Sequence, residues 1–80
     1  MSDTYERLVE ILVQRFEVER DEVRPEVTFA DLDLDSLFVV ELTLVVQTEL
    51  GAKISESDAS PRTTVAGLAS LIETQLARAS

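Results

Sequence analysis

Apolar side chains recur three and four positions apart in three separate stretches of this chain, and each stretch predicts a helix. Tyr5, Leu8, Leu12 and Phe16, widened by Val9 and Ile11, form the first stripe, over residues 3 to about 17. Glu6, Arg7, Glu10, Gln14 and Arg15 fall mostly on the opposite side, so the stripe reads as a core face. Asp3-x-x-Glu6 has the spacing of a capping box, although Ser or Thr more often opens one. The second helix is predicted from Ser36 to about Leu50, with Gly51 as its left-handed cap. The third is predicted from about Val65 to Arg78, with Val65, Leu68, Ile72 and Leu76 as its stripe. Ala69 permits close packing there, and Thr63 or Thr64 is placed to cap it.

The second helix carries more apolar residues than one buried face requires. On a helical wheel Val39, Leu42, Val46 and Leu50 form a core stripe. Leu37, Val40 and Leu44 form another, rotated away and bordered by Glu41, Gln47 and Thr48. Phe38 and Val45 lie between. Burial on all sides is hard to arrange in a chain of 80 residues, so an exposed apolar strip ringed by polar and acidic groups is expected.

Residues 18 to 34 read as a long connection, with Pro25 arguing against a continuous helix through Arg24. A connection this long in a small domain is expected to be anchored. Val23, Val27 and Phe29 supply the anchors, Phe29 being the one expected to be fully buried. After Gly51, Ile54 returns to the core and a short helical turn is predicted around Glu56–Ala59, cut off by Pro61. The expected fold is therefore all-α: a small four-helix bundle of three longer helices and one short one, with residues 1–80 as a single domain.

Composition narrows the chemistry. The chain has neither Cys nor His, which excludes disulfides, Ser–His–Asp and Cys–His nucleophile systems and the usual zinc sites. That absence points away from an enzyme, and no catalytic or metal-ligating residue is assigned. No apolar run approaches the roughly 20 residues of a membrane span. The opening Met-Ser-Asp-Thr-Tyr-Glu lacks the layout of a signal peptide, and a soluble, cytoplasmic monomer is expected. Net charge is −9, from 16 acidic and 7 basic side chains. Nucleic acid and anionic membranes are poor partners for such a surface, and basic protein patches are good ones. No Lys or Arg occurs between Arg24 and Lys53, whereas Glu26, Asp31, Asp33, Asp35, Glu41 and Glu49 all lie in that interval.

The acidity surrounds Asp31-Leu-Asp-Leu-Asp-Ser-Leu-Phe-Val-Val-Glu-Leu42, in which one hydroxyl, Ser36, opens the second helix. A helix N-terminus presents free N–H groups and the positive end of the macrodipole, a setting that suits a phosphodiester. Two other readings compete. Asp31-x-Asp33-x-Asp35 opens like an EF-hand calcium loop, but Ser36 stands where that loop needs Gly and Leu42 where it needs Glu. Alternatively, Asp33, Asp35 or Ser36 serves only as an N-cap.

Asp35-Ser36-Leu37, preceded by Asp31-Leu32 and followed by Glu41-Leu42, resembles the signature of acyl carrier proteins. The resemblance extends over nearly the whole chain, through the first stripe, the long connection, Ile54, the Thr63-Thr64-Val65 turn and the closing helix. It implies that Ser36 accepts 4′-phosphopantetheine from coenzyme A, attached by a separate, magnesium-dependent phosphopantetheinyl transferase. The thiol of that arm then carries an acyl group as a thioester, so the reactive sulfur is imported into a chain that has none. The resemblance places Asp35 and Leu37 beside the attachment point. It makes Asp35, Leu37, Val40, Glu41 and Leu44 the docking residues for the transferase and for acyltransferase- and ketosynthase-type enzymes with basic patches. It makes Phe29, Val39, Leu42, Val46, Ile54, Leu68 and Ile72 the lining of an acyl pocket.

Three positions depart from the commoner pattern. Asp33-Leu34 replaces small residues that often include Gly, Ser55 stands where Pro often follows the Ile, and Phe38 replaces a polar or small residue. The expected function is a discrete carrier in fatty-acid or polyketide biosynthesis. The alternatives are an aminoacyl or peptidyl carrier of a nonribosomal or hybrid pathway, from which Asp rather than His before Ser36 leans away, and an unmodified acidic helical adaptor.

Overall fold

The computed structural model describes residues 3–55 and 57–79. Three α-helices appear in it: α1 (Asp3–Arg15), α2 (Ser36–Leu50) and α3 (Val65–Ala79), with 3-10 turns at Arg20–Glu22 and Ala30–Leu32. No strand occurs among the described residues; Thr28 and Thr64 form an isolated antiparallel bridge.

The small all-helical fold is as expected, but the fourth helix of the expected bundle is not confirmed among the described residues. The short helix expected around Glu56–Ala59 falls partly on Glu56, which lies outside the described residues, and Ser57 and Asp58 form a turn. Asp58 N–H donates to Ser55 O at 2.9 Å, and Ser57 N–H donates to Ser55 Oγ at 3.2 Å. Serine side chains that bond nearby backbone groups offer the chain an alternative to a helix, and Pro61 closes off extension beyond it.

The three stripes meet in one core. Leu8 and Leu12 from α1, Leu42 and Val46 from α2, and Val65, Leu68 and Ile72 from α3 are fully buried, together with Phe29 from the first connection. Tyr5, Val9 and Ile11 are buried beside them, while Phe16 and Leu76 are half-buried at the two ends of their stripes. Burial pushes the Tyr5 hydroxyl pKa up, and the nearby Glu6 and Glu26 carboxylates push the same way.

α1 ends two residues earlier than its periodicity suggests. Glu17 takes a left-handed conformation with φ 56°, and Val18 N–H folds back to Leu12 O at 3.1 Å. A left-handed residue just past the last turn reverses the chain, and Leu12 O accepts from both Phe16 N–H and Val18 N–H. α2 ends as expected, with Gly51 at φ 76° donating its N–H to Gln47 O at 3.1 Å.

The two connections are hydrogen-bonded to each other, which the linear pattern does not reveal. Phe29 N–H donates to Thr63 O at 3.2 Å and Ala30 N–H to Pro61 O at 2.9 Å. In the other direction Val65 N–H donates to Val27 O and Ala66 N–H to Pro25 O, at 2.9 and 3.0 Å. The first N–H groups of α3, which have no intrahelical acceptor, are thus satisfied by carbonyls of the first connection. Thr64, not Thr63, caps the helix: its Oγ1 accepts from Gly67 N–H at 2.9 Å. Val23 and Val27 pack half-buried against the core. No helix among the described residues is long and apolar enough to cross a membrane.

Candidate functional site

The segment before α2 alternates because its leucines and acids do different work. Leu32 and Leu34 are buried, and Asp31, Asp33 and Asp35 are exposed. Asp31 Oδ2 accepts from Thr28 N–H at 3.0 Å while Thr28 Oγ1 accepts from Asp31 N–H at 3.1 Å, a reciprocal cap at the start of the second 3-10 turn. Asp33 turns the chain in the left-handed region, at φ 62°, with its N–H on Ala30 O. Aspartate is among the few residues other than glycine that visit this region readily. Leu34 N–H then donates to Phe29 O at 2.9 Å, tying the segment to the core. Among the described residues no group of His, Cys, Asp and Glu side chains is gathered so as to hold a metal ion.

Asp35 is the N-cap of α2, its Oδ1 accepting from Phe38 N–H at 3.1 Å. Ser36 is therefore the first residue of the helix and not its cap. Its side chain is exposed and makes no hydrogen bond among the described residues. The N–H groups of Ser36 and Leu37 have no intrahelical acceptor, and the positive end of the helix dipole lies here. An exposed, unengaged hydroxyl at such a terminus fits esterification by a phosphate. Among the described residues no basic side chain hydrogen-bonds to that hydroxyl, and an oxygen of the adjacent Asp35 carboxylate is engaged as the cap.

From this point α2 divides into faces. Leu37 is 73% exposed and Leu44 59% exposed; Val40 is half-buried between them, and Glu41 is exposed alongside. Val39, Leu42 and Val46 are buried, and Leu50 is half-buried. Thr43, unassigned in the pattern reading, is also buried, with its Oγ1 donating to Val40 O at 2.7 Å. Its spacing of four from Val39 and three from Val46 was the signal that places it on the core face. Phe38 is 43% exposed and meets Phe16 edge-on, with ring centroids 6.3 Å apart and planes at 75°. Such a pair is a favoured aromatic geometry.

Phe29, Val39, Leu42, Val46, Ile54, Leu68 and Ile72 are all buried within the one core cluster. Two surface clefts lie elsewhere, between α1 and the C-terminal half of α2. One is lined by residues including Arg7, Glu10, Ile11 and Leu50, the other by Glu41, Leu44, Val45 and Thr48; Arg15 and Glu49 line both. Arg15 lies outside the sequence interval that lacks Lys and Arg, yet the fold brings it to Glu49 of α2, with Nη2 3.5 Å from Oε2. No periodicity signals that contact, because it depends on how the two helices cross.

The family model described as "phosphopantetheine attachment site" matches residues 6–72, a span that contains most of α1, all of α2, the first half of α3, the paired connections and Ser36. This chain belongs to that family, the carrier-protein domains, which bear a covalent 4′-phosphopantetheine group and are not themselves enzymes.

Proposed function

We propose that Ser36 is the residue that bears the phosphopantetheine group, and that residues 1–80 form one acyl carrier domain, monomeric and cytoplasmic, serving fatty-acid or polyketide assembly. The observation that carries this reading is the exposed, unbonded Ser36 hydroxyl in the first turn of α2, directly after the capping Asp35. The group supplies a thiol on which an acyl chain is held as a thioester. The chain's own residues do the rest. Ser36 offers the hydroxyl, Asp35 holds the first turn of α2 so that the hydroxyl stays outward, and the helix N-terminus favours the phosphodiester charge.

In this reading Asp35, Leu37, Val40, Glu41 and Leu44 form the docking surface for the transferase and for acyltransferase- and ketosynthase-type enzymes. The exposure of Leu37, Leu44 and Glu41 supports it. Apolar contact supplies affinity there, and the carboxylates supply steering toward basic partners. The seven core residues Phe29, Val39, Leu42, Val46, Ile54, Leu68 and Ile72 receive the acyl chain when α2 and α3 part. Each buried methylene stabilises the acylated form by at most about 0.8 kcal/mol.

Intact-mass measurement after incubation with coenzyme A, magnesium and a promiscuous phosphopantetheinyl transferase tests the assignment. The wild type gains the mass of one phosphopantetheine and Ser36→Ala gains nothing. A mass gain that survives in Ser36→Ala moves the site elsewhere, and no gain on the wild type leaves an unmodified adaptor. Offering the loaded protein to acyl-transferring and to amino-acid-adenylating enzymes then separates an acyl carrier from an aminoacyl carrier.

A further inference from the structure

Arg15 occupies a position that the docking role does not use. It is the basic member of a half-exposed pair with Glu49, the two side chains being 56% and 44% exposed. It also lines the cleft that Glu41, Leu44, Val45 and Thr48 share. A positive charge from α1 therefore stands at the edge of the acidic, apolar surface of α2, and it engages one of that surface's carboxylates. A solvent-exposed pair of this kind contributes little to stability. Its effect on an approaching charged surface is larger in proportion, because Arg15 both neutralises Glu49 and repels like charge.

We infer that Arg15 is a specificity-determining residue that weakens docking of basic partners at the Leu44 end of α2, an inference that rests on the proposed docking role of that helix. The partner it discriminates against is a protein whose docking surface is basic throughout. Glu41 and Glu49 attract such a surface, and Arg15 opposes it. The other basic groups near α1 do not share this position: Arg20 is paired with Glu10, and Arg7 lines only the other cleft.

The test uses the full chain and a phosphopantetheinyl transferase with a uniformly basic docking face, measuring loading rate against carrier concentration at low and at high salt. Arg15→Gln lowers KM about two- to fourfold at low salt, with kcat unchanged, and the difference disappears at high salt. Arg7→Gln makes the same change in net charge, lies about 12 Å earlier along the helix, and shifts KM by much less. A KM for Arg15→Gln that is unchanged, raised, or matched by Arg7→Gln overturns the inference. Absence of loading on the wild type itself overturns the carrier reading, so the two failures are distinguishable. Circular dichroism of both variants shows whether the helices are intact, and an Arg15→Lys variant, which keeps the charge, restores the wild-type KM.

Discussion

Asp35 carries two separable properties, a carboxylate oxygen that accepts from Phe38 N–H at 3.1 Å and a negative charge beside Ser36. Asp35→Ala removes both and should lower stability by about 0.5–2 kcal/mol through loss of the cap. Asp35→Asn keeps an acceptor and should stay close to wild type in chemical denaturation. If the charge steers the transferase, the Asn variant still loads more slowly at low salt. Equal loss of stability in the two variants would show that the cap depends on charge and not on geometry. The neighbouring acids have local duties of their own: Asp31 caps a 3-10 turn and Asp33 holds a left-handed one. What reads as an acidic run in one dimension is thus also a sequence of turn residues, each placed by the buried leucine beside it.

Leu42 and Leu44 give α2 its contrast at the scale of the element, since they are chemically identical, two positions apart, and opposite in environment. Leu42 is fully buried and Leu44 is 59% exposed. Leu42→Ala should destabilise by about 2–5 kcal/mol, as truncations in a packed core do. Leu44→Ala should change stability by only about 0.5 kcal/mol while raising KM for loading. The measurements are urea denaturation and loading kinetics on the same preparations, and a Leu44→Ala variant as unstable as Leu42→Ala would mean that the strip is part of the core. The flank of α2 facing α1 belongs to neither class, because Phe38 packs edge-on to Phe16 yet remains partly exposed. Its ring ties α2 to the residue just past the end of α1, and the exposed remainder borders the proposed docking strip.

For the molecule as a whole, the seven proposed acyl-lining residues all belong to the one buried core cluster. An acyl chain that enters between α2 and α3 adds buried apolar area, so the thermal midpoint of the loaded protein should climb with chain length. Butyryl and octanoyl forms differ by four methylenes, and at about 0.8 kcal/mol for each one fully buried the difference is measurable by calorimetry. Identical midpoints for all chain lengths would place the chain in solvent and remove the pocket from the proposal. The expected fourth helix bears on this too: the segment from Gly51 to Ser60 contributes buried Ala52, Ile54 and Ala59.

Much of this was legible in the chain itself. Periodicity located the three helices and their buried stripes, Gly51 marked the end of α2, and Phe29 stood out as the anchor of the first connection. These are local properties, set by the 3.6-residue repeat and by the backbone preferences of single residues, and they need no knowledge of neighbours. The pairing of the two connections, the choice of Thr64 as cap, the edge-on Phe16–Phe38 contact and the approach of Arg15 to Glu49 were decided by the tertiary structure. Each depends on which segments come within a few ångströms after the helices cross, and residues 27 and 65 or 15 and 49 share no register along the chain that would announce it.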